Sequence, residues 1–214
     1  MSTEGEGATW KDHEKVHEYV GRVGRLAARA AGEAELVEHL PDQVERVLDL
    51  GCGDGRLAAL VLDARPDATE AVCLDSSTPM LDLARERFGQ DGRASLLEHD
   101  LLEPLPAVGS FDVVVSGFAI HHLPHERKRS LFTEVAGVLR PKGIFANLEV
   151  VQCATEELQA EFYRRIGRPA GDPQDVLAEV GPQLDWMRAA GLTQVDCAWR
   201  WRGFALLVGA APAG

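Results

Sequence analysis

Two periodicities alternate along the chain. Short continuous apolar runs read as strands buried on both faces, and stretches whose apolar residues recur every three or four positions read as helices with one inward face. Residues 10–40 carry the helical pattern through Val16, Tyr19, Val20, Val23, Leu26, Ala27, Ala30, Leu36, Val37 and Leu40, and Pro41 stops it. The apolar runs predict strands over 44–50, 71–74, 94–99, 111–116 and 144–150. Helices are predicted between and after them, over 56–64, 79–88, 124–139, 155–167 and 183–190. Pro79 stands at a favoured first-turn position, and residues 140–143 read as a turn. A pair of runs at 195–199 and 204–208 closes the chain. Strand alternating with helix predicts an α/β fold: a doubly wound, mostly parallel seven-stranded sheet with helices on both faces. At 214 residues the chain is expected to form one domain. Its parts are a helical cap (1–40), a ligand-binding core (41–150), a lid-like insertion (151–182), and a final helix with a strand pair (183–214).

Composition narrows the class. Apolar residues make up 45% and charged residues 26%, as in ordinary globular proteins. No apolar run is long enough for a membrane span, and residues 1–7 hold no apolar signal core. The four cysteines (Cys52, Cys73, Cys153, Cys197) are scattered with no C-x-x-C pair, which suits buried thiols in a reduced, cytoplasmic protein. The net charge of −12 opposes non-specific binding to a nucleic-acid backbone.

Val47-Leu48-Asp49-Leu50-Gly51-Cys52-Gly53-Asp54-Gly55 is the most informative segment. An apolar strand ends at a glycine-rich turn that opens a helix, the arrangement of a nucleoside-binding loop. The spacing departs from the dinucleotide fingerprint G-x-G-x-x-G: the third glycine comes one residue early at Gly55, and Arg56 takes its place. No G-x-x-x-x-G-K-[ST] run offers a phosphate cradle. In such sheets the ligand lies beyond the carboxyl ends of the strands. The candidates there are Gly51, Cys52 and Gly53 after the first strand, then Asp75 and Ser76 after the second, with Met80 close by. Asp100 and Leu101 follow the third, and Ser116 ends the fourth. Asp75 stands 24 residues past Gly51, near the spacing at which an acid accepts ribose hydroxyls.

The run D-L-G-C-G-D-G resembles the first motif of class I S-adenosylmethionine-dependent methyltransferases. Further segments resemble the family in order: Asp75, its ribose-binding acid; Asp100-Leu101, its adenine pair; Phe111 to Ser116, its fourth motif; and Leu139 to Ile144, the turn before the fifth strand. Trp186 to Leu192 resembles its W-x-x-x-A-G-L segment more weakly. The resemblance implies a Rossmann-like class I fold, S-adenosylmethionine as cofactor, and methyl transfer to an acceptor. It implies cofactor contacts at Asp49, Gly51, Cys52, Gly53, Asp75, Ser76, Met80, Asp100, Leu101 and Ser116. A cofactor without phosphates, carrying an ammonium group, suits an acid at Asp49. The same residues carry plainer readings too: Asp49 as a helix cap, Asp75 and Asp100 as turn acids, Met80 as core, and Cys52 as a small apolar turn residue.

His121 and His122 are the candidate catalytic residues, as a general base or an acceptor contact at the pocket mouth. With His125 they could suggest a metal, but Pro124 is expected to start a helix that parts His121 from His125. No carboxylate or cysteine joins them at ligand spacing, so no metal is expected. The 151–182 segment, with Phe162, Tyr163, Arg164, Arg165 and Arg168, could roof the acceptor or simply be a surface helix. Trp10, Tyr19, Arg22 and Arg25 are the first helix's candidates for cofactor contact. Trp199 and Trp201 suit core or interface packing. The expected acceptor is a small molecule. A tRNA-modifying relative, a non-catalytic cofactor-binding protein and an NAD-type oxidoreductase are the alternatives. Oligomeric state is not legible.

Overall fold

The computed structural model describes residue 16 and residues 27–214; Trp10, Tyr19, Arg22 and Arg25 lie outside the described residues. The strands are β1 (Arg46–Leu50), β2 (Glu70–Asp75), β3 (Ala94–Glu98), β4 (Phe111–Gly117), β5 (Leu139–Val150), β6 (Thr193–Trp201) and β7 (Phe204–Ala210). The helices are α1 (Ala27–Glu38), α2 (Arg56–Ala64), α3 (Thr78–Phe88), α4 (His125–Val138), α5 (Glu156–Arg165) and α6 (Val180–Ala189), with a 3₁₀ turn at Ile120–His122.

One seven-stranded sheet runs β3-β2-β1-β4-β5-β7-β6. The β1–β2, β1–β4, β2–β3 and β4–β5 pairs are parallel, and β7 is antiparallel to both β5 and β6. Strand order therefore reverses between β1 and β4, and the carboxyl ends of β1 to β5 share one edge. Successive residues of β1 split between the two faces, as a pleated strand buried on both sides requires. Leu48 and Leu50 join Leu131, Phe132, Val135 and Met187 under α4 and α6. Val47 joins Leu36, Ala58 and Val61 under α1 and α2. A third apolar cluster of Val150, Cys153, Phe162, Ile166 and Phe204 seats α5 beyond the end of β5.

Residues 100–110, for which no element was expected, cross from β3 to β4 as turn and coil. Two local expectations change. The turn expected at 140–143 is absorbed into β5, which starts at Leu139. Phe111 pairs with Leu139 and Val113 with Ile144, so the extra residues bulge out of register, with Lys142 at φ 64. Helix α6 begins at Val180 rather than 183, which leaves the inserted segment ending at Glu179.

Candidate active site

The glycine turn sits where the strand order reverses, the crevice in which doubly wound sheets hold ligands. Gly51 has φ 65 and Gly53 φ 54. A methyl group on Gly51 would lie 2.3 Å from the Ala119 Cβ, so the turn passes directly under the loop that follows β4. A methyl on Gly53 would meet only the Met80 sulfur, at 3.8 Å, which leaves open space over that residue. Met80 belongs to the first turn of α3, where its N–H bonds the Ser77 hydroxyl at 3.2 Å. Side-chain capping of this kind sets the direction of the helix and hence of Met80.

Asp75 ends β2 and accepts the N–H groups of Gly53 and Ser77, each at 2.8 Å. Burial raises its carboxyl above the ordinary value of 3.8, against the opposing effect of those two N–H donors. The carboxylate thus couples the glycine turn to the start of α3. Ser76 is exposed beside it. Cys52 is buried, and its neighbour Cys73 together with burial raises its thiol well above the ordinary value, so it packs as a small apolar residue.

Asp49 is fully buried, and its Oδ2 accepts the Ala58 N–H of the first turn of α2 at 3.0 Å. Its Oδ1 has no protein partner. Burial raises this carboxyl to about 7. Between the ordinary 3.8 and about 7, the folded state holds a proton that the unfolded chain has released, so this residue's contribution to stability falls as pH rises through that window. At pH 8 the ligand-free Asp49→Asn variant is expected to melt about 2–4 °C higher, the shift of roughly 1 kcal/mol in a domain of this size, and to bind cofactor more weakly. A lower melting point together with wild-type affinity would refute both halves.

Asp100 is exposed, with Oδ1 accepting the Leu102 N–H at 2.9 Å, and Leu101 is buried beside it. Arg127 of α4 holds this loop, donating Nε to the Leu101 carbonyl at 2.6 Å and Nη2 to that of Glu103 at 2.8 Å. Sequence patterning did not single out Arg127; a surface arginine on a helix carries no sign of the loop it pins. Ser116 is fully buried and its hydroxyl donates to the Leu50 carbonyl at 2.9 Å. That bond ties the ends of β4 and β1 together. Arg56 makes a two-pronged pair with the buried Glu33 of α1, at 2.6–3.0 Å. Burial works to raise the Glu33 carboxyl, but Arg56 and Arg29 outweigh it and hold it low. An ion pair thus occupies the position where a dinucleotide fold keeps its third glycine.

The two histidines occupy the 3₁₀ turn after β4. His121 is 4% exposed, with Nδ1 2.6 Å from Glu149 Oε1 and Nε2 3.5 Å from Asp175 Oδ1. The His122 ring lies 3.9 Å from that of His121, and its Nδ1 is 3.3 Å from the Gln174 carbonyl. Burial and the neighbouring His121 lower the His122 pKa to about 4. Sequence spacing offered these histidines no carboxylate; the fold supplies two, Glu149 from the end of β5 and Asp175 from the insertion. The insertion is bound down at several points. Val176 N–H donates to the His121 carbonyl at 2.9 Å, Gln152 N–H to that of Ala178 at 3.0 Å, and His125 Nε2 lies 3.0 Å from that of Leu177. A cavity of about 470 Å³ is formed within this segment by Gln152, Cys153, Gln159, Tyr163, Asp175 and Leu177. A second cavity of about 430 Å³ lies at the β6–β7 edge by His39, Gln194 and Asp196, away from the glycine turn, and has no part in the site.

A glycine turn at the reversal point of a parallel sheet, an acid ending β2 and a pinned acid-containing loop after β3 define a nucleoside-binding protein of the doubly wound α/β class. Comparison with known proteins refines this. The family model described as a methyltransferase domain matches residues 47–143. An uncharacterized methyltransferase of Mycobacterium tuberculosis is 35% identical over 114 residues, 53% of this chain and 55% of that protein. The chain thus spans little more than half the length of this relative. An ornithine lipid N-methyltransferase of Singulisphaera acidiphila is 30% identical over 135 residues, 60% of this chain and 68% of that protein. The solved O-methyltransferase family protein from Burkholderia thailandensis shares the fold, with TM-score 0.74 at 21% identity over 94% of this chain and 60% of that one. The chain belongs to the class I S-adenosylmethionine-dependent methyltransferases. The residues present fit that family's cofactor: a fully buried carboxylate oxygen at Asp49 without a protein partner, and bare space over Gly53 beside Met80. None of the described helices is long and apolar enough to cross a membrane.

Proposed function

We propose that this protein transfers the methyl group of S-adenosylmethionine to a small-molecule acceptor held beneath the 151–179 segment. The observation that carries the reading is the glycine turn at the strand reversal, bound to Asp75 and preceded by the buried Asp49, one of whose oxygens accepts no hydrogen bond. When bound, the cofactor supplies a methyl group already made electrophilic by a sulfonium. Asp75 would accept the ribose hydroxyls, with Ser76 at the rim. Asp100 and the Leu101 N–H would meet the adenine edge, and Met80 would cover its face. Asp49 would face the ammonium group. The chain's remaining task is to hold the acceptor close, in line and dry, which by itself supplies much of the rate. His121 and His122 remain the candidates for any proton-transfer step, but both nitrogens of His121 already face carboxylates and His122 Nδ1 lies against the Gln174 carbonyl. This favours an acceptor that is already nucleophilic at working pH, such as an amine, thiolate or phenolate.

The net charge of −12 supports a small acceptor over RNA. Formation of S-adenosylhomocysteine should be measured against a panel of amines, thiols and phenols, with total tRNA alongside. Turnover on at least one small acceptor is expected. Methyl incorporation into RNA alone would overturn the acceptor class, and cofactor binding without turnover on any of them would overturn the catalytic reading.

A further inference from the structure

The buried group around His121 has more acceptors than donors. Glu149 and Asp175 place two carboxylates within reach of one imidazole, and each keeps a buried oxygen, Glu149 Oε2 and Asp175 Oδ1, that accepts no hydrogen bond. The Asp175 side chain is 5% exposed and that of Glu149 0%. The Lys128 ammonium lies nearby, but it bonds the carbonyls of His121 and Val176 rather than either carboxylate. Arg168 is taken by Asp172. Two buried carboxylates and two imidazoles thus meet with too few donors between them, an arrangement that a bound cation would complete.

We infer that His121, His122 and Asp175 form a binding site for a divalent first-row transition metal of the zinc type. One ligand atom from each lies within 4.8 Å of the others. Asp175 Oδ1 is 3.5 Å from His121 Nε2 and 3.8 Å from His122 Nδ1. Tetrahedral zinc with bonds of about 2.0–2.2 Å separates its ligand atoms by about 3.4 Å, so the two Asp175 distances are nearly right and a shift of about 1 Å between the imidazoles closes the site. On binding, the His122 Nδ1 gives up its long contact with the Gln174 carbonyl. The supporting contacts are those that metal sites use: Glu149 Oε1 sits 2.6 Å from the other nitrogen of His121, and Tyr163 donates its hydroxyl to Asp175 Oδ2 at 2.6 Å. Two imidazoles and one carboxylate suit zinc, cobalt, nickel or iron(II) over magnesium or calcium, which prefer oxygen. Such a metal clips the inserted segment, through Asp175, onto the turn after β4, and this consequence stands whether or not methyl transfer occurs.

The test uses the full chain, freed of metal by a chelator and titrated with zinc chloride. One zinc per chain is expected, with a dissociation constant on the order of 1 μM or tighter, and a melting midpoint that rises with zinc concentration. Asp175→Asn and His122→Ala should each weaken zinc at least about 100-fold and abolish the thermal shift, while Glu149→Gln, which reaches the site only through His121, should weaken it about 10- to 100-fold. Unchanged S-adenosylhomocysteine affinity in the variants establishes that they are folded; His122 lies at the partly exposed end, so its variant keeps the test open if Asp175→Asn does not fold. The inference is overturned if the wild type shows no saturable zinc binding up to about 100 μM, or if both variants bind as the wild type does.

Discussion

Gly51→Ala is expected to lower the melting midpoint by about 6–12 °C and to abolish cofactor binding. Two costs add at this position. The residue has φ 65, where an L side chain is strained by about 1–2 kcal/mol. The new Cβ would also stand 2.3 Å from the Ala119 Cβ, closer than any real contact, and both partners are stiff, one a turn and the other the loop leaving β4. Overpacking of that kind costs about 1–3 kcal/mol. A total near 3 kcal/mol gives the stated shift for a domain of this length, at about 2–4 °C per kcal/mol. Gly53→Ala separates stability from binding. Its φ of 54 carries the strain, but its Cβ meets only Met80 at 3.8 Å, so melting should fall by less while affinity is still lost. Thermal denaturation with calorimetric titration of S-adenosylhomocysteine reads both quantities. A fall below about 2 °C for Gly51→Ala, with affinity intact, would mean that the turn is not held against Ala119.

Asp75→Ala should weaken cofactor binding by about 100-fold or more. The carboxylate accepts the N–H groups of Gly53 and Ser77 at 2.8 Å, so its removal frees the turn as well as taking away the proposed ribose acceptor. Hydrogen bonds to a charged group contribute about 1.5–3 kcal/mol each, and two to the ribose correspond to at least about two decades in affinity at 1.4 kcal/mol per decade. Asp75→Asn keeps one acceptor oxygen and should lie between. Burial raises the Asp75 carboxyl, and the ionised form is the better acceptor. Affinity should therefore decline on acidification at a higher pH than an ordinary aspartate would give. Undiminished affinity in the alanine variant would remove Asp75 from the site.

The strand-end positions of the proposed cofactor residues were legible because strand ends follow from where apolar runs stop. Gly51, Asp75 and Asp100 each come within a residue or two of such a stop, on elements whose order the alternation of patterns gives. What periodicity does not give is side-chain direction. Ser116 ends β4 as expected, and its hydroxyl donates to the Leu50 carbonyl one strand away. Asp49 has both of its roles at once, one oxygen capping α2 and the other unpartnered. The bulge at the start of β5 is a local departure from periodicity, seen in its pairing with β4.

The histidine cluster shows the same limit over longer range. His121 and Glu149 are 28 residues apart, and Asp175 is farther still, on a segment whose own pattern reads only as helix and loop. What the chain determined alone was the order of its elements and the residues beyond each strand end, because backbone sterics and apolar periodicity act over a few residues. Only the tertiary structure decided that the insertion folds back over the turn after β4 and joins two carboxylates to two histidines. That meeting depends on β5 carrying Glu149 to the shared strand edge and on backbone bonds holding residues 174–178 there, and neither leaves a periodic trace in the chain.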